Sequence, residues 1–97
     1  MKLVIVPAAL AELRDAAAYY TDQGNAGLGH AFVTEFERVV NLIFVSPQLG
    51  AIFRGTRRRY FLRRFPYSVI YEVTHDELRV LALAHQRRRL TYWSRRK

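Results

Sequence analysis

The densest chemistry in this sequence is a series of arginines interleaved with aromatic residues. Arg57, Arg58 and Arg59 run into Tyr60 and Phe61, and Arg63 and Arg64 run into Phe65, Pro66 and Tyr67. Further on, His85 and Gln86 precede Arg87, Arg88 and Arg89, and Tyr92 and Trp93 precede Arg95 and Arg96. Eleven of the sixteen basic residues fall between Arg57 and Arg96, and fourteen of the sixteen are arginine. A guanidinium grips phosphates and carboxylates as a planar fork and stacks on rings. Together with a net charge of +8, this calls for a polyanionic target, an acidic protein partner, or both. High genomic GC content would explain arginine over lysine, but not the clustering.

Other chemistries are excluded. The chain has no cysteine, so disulfides and thiolate metal sites are impossible, which fits a reducing cytoplasm. Its three histidines, His30, His75 and His85, lack ligand-like spacing, so no metal and no cofactor is expected. There is no Gly-rich phosphate loop and no Ser/His/Asp constellation. The start of the chain is too short and strand-like for a signal peptide, and no apolar run approaches the ~20 residues of a membrane span.

The elements that position these residues can be read from periodicity. Ninety-seven residues make one domain. Residues 3–6 read as a short buried strand, and Pro7 suits a first helical turn. A first helix over residues 8–21 carries Leu10, Leu13, Ala17 and Tyr20 at helical spacing, with Glu12, Arg14 and Asp15 off that stripe. Gly24 is expected to end it in a left-handed conformation, and Asn25 to cap the next helix. A second helix over residues 26–45 buries Phe32, Phe36, Val39, Val40 and Ile43, with Glu35, Glu37, Arg38 and Asn41 outward. So short a connection makes an α-hairpin. Residues 47–56 read as a loop. Three antiparallel strands then form a meander, over residues 57–64, 67–73 and 78–85. The expected fold is α+β: an N-terminal strand and an α-hairpin packed on an antiparallel sheet, in the order β-α-α-β-β-β. The core should hold Phe32, Phe36, Val39, Leu62, Val69 and Val80.

Strict alternation puts Leu78, Val80, Ala82 and Ala84 on one face of the last strand, and Arg79, Leu81, Leu83 and His85 on the other. Both faces are apolar, so the second needs a cover: residues 90–93, a second copy, or a partner.

The element order and these residues together resemble the RelE/ParE superfamily of type II toxin–antitoxin toxins. The resemblance spans nearly the whole chain. It is sharpest at Phe65-Pro66-Tyr67 with Ile70-Tyr71, and at His85 and Arg88 with Tyr92-Trp93 and the terminal basic residues. It implies a growth-inhibiting toxin neutralised by a cognate antitoxin. One branch of the superfamily cuts messenger RNA on the ribosome. The ParE-like branch poisons DNA gyrase, and related chains are often labelled plasmid stabilisation proteins.

A ribonuclease of this type needs a base for the 2′-OH, an acid for the leaving oxygen and cations for the phosphorane. The candidates are His85 or Glu72 as base, Tyr92 as acid, and Arg63, Arg87 and Arg88 as clamp. Ribonuclease-type relatives, however, place arginines where this chain has Ser68 and Gln86. The alternatives are structural. His85 would bond a backbone carbonyl at a strand end, Tyr67 and Tyr71 would be core residues, Tyr92 and Trp93 would cover the sheet, and Arg57 to Arg59 would form a solvated edge.

The leading expectation is a ParE-like toxin that binds its target, DNA gyrase, without turnover. Arg87, Arg88, Arg89, Tyr92, Trp93, Arg95 and Arg96 would form the target surface. An acidic antitoxin would meet Leu81, Leu83, Arg57 and Arg59, and a homodimer or a hetero-oligomer with the antitoxin is compatible with either function. The competing readings are a messenger RNA endonuclease acting with the ribosome, and a degenerate toxin retained as a basic antitoxin-binding module.

Overall fold

The computed structural model describes residues 1–87 and residue 96. Strand β1, Lys2–Ile5, leads into helix α1, Pro7–Gln23, and helix α2, Ala26–Val45. A 3-10 turn, Pro47–Leu49, precedes strand β2, Ala51–Arg54. Strands β3, Arg57–Phe61, β4, Tyr67–Val73, and β5, Glu77–His85, complete the described chain. The strands form one sheet in the order β1-β5-β4-β3-β2. Three pairings are antiparallel, and β1 lies parallel to β5. The architecture is the expected α-hairpin on a sheet, with two additions. The segment read as a loop contains β2, and the first strand lies at an edge, with Leu3 40% exposed. Among the described residues no helix is long and apolar enough to cross a membrane.

The α-hairpin closes through local chemistry. The Asn25 side chain accepts the Leu28 N–H at 2.9 Å, capping α2 as the sequence suggests. Gly24 differs from expectation: its φ of −115° is not left-handed. Its lack of a Cβ matters for space, because a Cβ there would sit 2.7 Å from Leu28 Cδ2. Gly29 lets the helices approach, since a Cβ there would land on Thr21 Oγ1 and 2.8 Å from Ala17 O. The penalty of glycine inside a helix is thus offset by tertiary packing.

Phe32, Phe36, Val39, Val40 and Ile43 are all buried, and Leu62, Val69 and Val80 join them from the sheet side. The first helix contributes more through small residues than its stripe implies. Ala9 and Ala16 are its buried positions, while Leu13, Ala17 and Tyr20 pack around them half-buried.

A β-bulge decides which residues share a face. Tyr67, Val69, Tyr71 and Val73 alternate along β4, and their partners on β5 are His85, Leu83, Val80 and Leu78. Leu81 is the extra residue, inserted where the register shifts between Ile70 and Tyr71. It changes the phase of the alternation. Leu78 and Val80 before it, and Leu83 and His85 after it, therefore lie on the one face that meets the helices. Leu81 and Leu83 are buried, at 0% and 2% exposure, so they offer no surface to a partner in the free chain. The second face carries Ser68, Ile70, Ala82 and Ala84, flanked by Arg57, Arg59, Phe61 and Arg79. The first four are buried in the single chain. The proposed cover over residues 90–93 lies outside the described residues.

Candidate functional site at the basic end of the sheet

The turn between β3 and β4 and the end of β5 form one end of the molecule. Leu62 N–H donates to Tyr67 O at 2.9 Å and closes the turn, with Arg64 at a φ of 70°. That left-handed backbone is uncommon outside glycine and is held by the closure on both sides. Gln86 N–H donates to Pro66 O at 2.9 Å, tying the end of β5 to the same turn. Arg63, Arg64, Gln86 and Arg87 are exposed there. Arg63 is anchored through its backbone, since its N–H donates to Glu35 Oε2 at 2.7 Å. Glu35 in turn holds Arg38 in a fork, with both bonds at 2.7 Å. The hydrogen bonds from Arg38 are the main cause that holds the Glu35 carboxyl below the usual carboxylate range, and the Arg63 N–H adds to it.

His85 sits at the edge of this end. Its ring meets Tyr67 edge-on, with centroids 5.0 Å apart. Its Nδ1 accepts the Arg87 N–H at 3.1 Å, so a neutral ring carries its proton on Nε2. The sequence reading has this ring bonding a backbone carbonyl; the structure has it accepting a backbone N–H instead. The cleft beside it is lined by Glu12, Asp15, Ala16, Tyr19, Tyr67, Leu83 and His85. Two of these are carboxylates, Glu12 and Asp15, and Glu12 is paired with Arg96 at 2.7 Å. Burial pushes the Tyr67 phenol up, so it stays neutral and able to donate.

Glu12 lies off the apolar stripe of α1, and nothing in the sequence points to its role. Strand β1 covers β5 only from Glu77 to Val80, and beyond Val80 no described strand pairs with β5 on this side. Glu12 Oε1 accepts the Leu83 N–H at 3.1 Å, and Arg96 Nη1 donates to Leu81 O at 3.1 Å. Glu12 and Arg96 bond each other at 2.7 Å. The carboxylate stands in for a strand carbonyl and the guanidinium for a strand N–H. Two side chains thus plug the edge where β1 stops.

The other sequence candidates separate from His85. Glu72 pairs with Arg57 at 3.0 Å on the second face. It lies five positions along β4 from Tyr67, which faces His85, or roughly 17 Å at strand rise. Glu72 and His85 cannot serve one phosphate. Arg57, Arg58 and Arg59 are all engaged, contrary to a simple solvated edge. Arg58 donates to Gly50 O at 2.8 Å, and the Arg59 guanidinium lies over the rings of Phe53 and Phe61, at 5.0 and 4.9 Å. Tyr71 is a core residue, as the structural alternative expects. Its hydroxyl donates to Pro47 O at 2.7 Å and accepts the Gly50 N–H at 2.9 Å. Among the described residues no group of three His, Cys, Asp or Glu side chains converges as a metal site. Arg88, Arg89, Tyr92, Trp93 and Arg95 lie outside the described residues.

Residues 3–90 match the family model described as ParE toxin of type II toxin-antitoxin system, parDE. The chain belongs to the ParE toxin family. No curated protein matches it. Among solved structures, one described as the chromosomal ParDE TA system from P. aeruginosa superposes with a TM-score of 0.78 at 20% identity. That match covers 88% of this chain and 95% of the other. At such low identity the likeness speaks for the fold, and the ParE membership rests on the family model. For a ParE-family chain, an antitoxin partner is implied by membership in a toxin–antitoxin system.

Proposed function

We propose that this ParE-family toxin acts by binding a cellular target, DNA gyrase, with no substrate turnover of its own. The observation that carries the reading is the setting of His85. Its Nδ1 is engaged by the Arg87 N–H, and among the described residues the cleft it lines holds Glu12 and Asp15 and no arginine, Arg96 being tied up by Glu12. The positions where the ribonuclease pattern expects cations support it too. Ser68 is buried at 3% exposure, and Gln86 carries no charge. A phosphorane needs fixed positive groups around it.

The target surface in this reading is the end of β5 together with the chain beyond it: Arg87, then Arg88, Arg89, Tyr92, Trp93, Arg95 and Arg96. Aromatic and arginine anchors dominate such interfaces. Arg96 is held by Glu12 in the free chain. The partner that neutralises the toxin is an acidic antitoxin drawn to the net charge of +8. The site of action is the cytoplasm.

The test is to induce the toxin in cells while supplying purified protein to a supercoiling assay. Target binding gives blocked supercoiling, trapped DNA breaks and intact transcripts at early times. Rapid cleavage of messenger RNA at codon positions, with gyrase unaffected, would overturn the proposal.

A further inference from the structure

Among the described residues the sheet ends at β2, whose outer edge no other strand covers. Its surroundings are specific. Ile52 pairs with Arg58 on the helix side of the sheet and is 60% exposed. Arg59 and Phe61 lie on the opposite side, with Phe61 53% exposed. The Arg59 guanidinium is held over the Phe53 and Phe61 rings. Among the described residues, no carboxylate lies within ion-pair distance of Arg54 or Arg59. We infer that the β2 edge is a strand-addition site for an extended partner segment in which acidic and apolar residues alternate. This rests on the proposed acidic antitoxin and names where, and in what form, such a partner docks.

The alternation is dictated by the geometry. Successive side chains of an added strand point to opposite faces of the sheet, and those on one face recur about every 6.8 Å. Acidic residues on the second face meet Arg59, and apolar residues on the helix side cover Ile52. Backbone bonding to the edge supplies affinity, and the alternating side chains supply selectivity.

Three other occupants fit less well. A second copy would bring Arg54 and Arg59 toward their own equivalents, and each molecule carries a net charge of +8. The strand is only four residues long, with a register shift between Ile52 and Arg54. Short, bulged, arginine-bearing edges resist self-pairing. A single-stranded nucleic acid stacks on open ring faces, whereas Phe53 and Phe61 each carry the Arg59 guanidinium. The β1 edge at the far side of the sheet offers mixed charge in place of a basic rim: Lys2 pairs beside Glu77, and Glu37 lines the adjoining groove.

The probe is a labelled ten-residue peptide of alternating Glu and Val, monitored by fluorescence anisotropy. It should bind in a salt-dependent manner. N-methylation of alternate amides, which preserves charge and side chains, should weaken binding about tenfold or more, as should Arg54→Glu with Arg59→Glu. Thermal melts identify variants that keep the fold. Equal binding by the N-methylated peptide, or by the doubly reversed protein with its fold intact, would sink the inference. So would tighter binding of a ten-nucleotide oligothymidine competed off the same arginines, or concentration-dependent dimers in sedimentation that the double reversal abolishes. Co-expression with the product of the adjacent open reading frame separates this site from the reading beneath it. A complex that survives the double reversal retains the acidic antitoxin and rejects the β2 site. Absence of any complex with the unaltered toxin rejects both.

Discussion

The two faces of the sheet are built to different rules. The helix face presents Val69, Tyr71, Leu78, Val80 and Leu83 to an α-hairpin lined with phenylalanine, and every one of these is buried. The second face places Ser68, Ile70, Ala82 and Ala84, all buried, beside a row of charges running from Arg57 through Glu72 to Arg79. One face gains its stability from apolar area removed from water, a term roughly proportional to area and not screened by salt as ion pairs are. The rim of the other adds half-exposed ion pairs and a stacked guanidinium, each worth little individually. The apolar centre of the sheet therefore holds the fold, and the charged rim of the second face contributes little to it.

The largest expected effect is on the helix face. Phe36→Ala should destabilise the protein by about 3–5 kcal/mol, a large share of what a domain this size possesses. Urea unfolding measures it, and an unchanged midpoint would break the comparison. Tyr71→Phe should come next at about 1–3 kcal/mol, because Pro47 O and Gly50 N–H lose their buried partner. Gly50→Ala tests the same contact from the other side, since a Cβ would meet the Tyr71 hydroxyl at 2.5 Å.

A smaller effect is expected at Glu35, beside the turn. Its carboxyl lies below the usual range in the folded protein. Its contribution is therefore present above the unfolded value, about 4.3, and is lost as pH falls through the depressed folded value. Glu35→Gln should flatten that acid-side loss in a pH series of melting temperatures, with at most about 1 kcal/mol involved at neutral pH. Glu12→Ala should cost about 1 kcal/mol and raise amide exchange selectively at Leu83, whose N–H it accepts. The smallest effect belongs to the second face. Arg59→Ala should change stability by about 0.5–1 kcal/mol, even where it weakens partner binding severalfold. A loss comparable to that of Phe36→Ala would erase the distinction between the faces.

Much of this arrangement was legible in the residues themselves. The 3.6-residue spacing of Phe32, Phe36, Val39, Val40 and Ile43 marked the buried face of α2, and Asn25 marked its start. The chain order of helices and strands, and the family signature around Phe65-Pro66-Tyr67, were readable because they are local in sequence. The excess of arginine was equally plain, as was the likeness of its setting to a toxin.

Tertiary structure decided the rest. Strict alternation assigned Ala82, Leu83, Ala84 and His85 to the wrong faces, because one inserted residue in a ladder reverses the phase of everything beyond it, and composition does not announce a bulge. The segment containing β2 read as a loop because four residues with two flanking glycines carry too little pattern. Glu12 and Glu35 looked like solvent-facing helix positions. Glu12 meets Leu83 71 positions away, and Glu35 meets Arg63 28 positions away. Periodicity reports which way a side chain faces along its own element. What waits there is set by chain closure, which brings together residues whose spacing in sequence carries no signal.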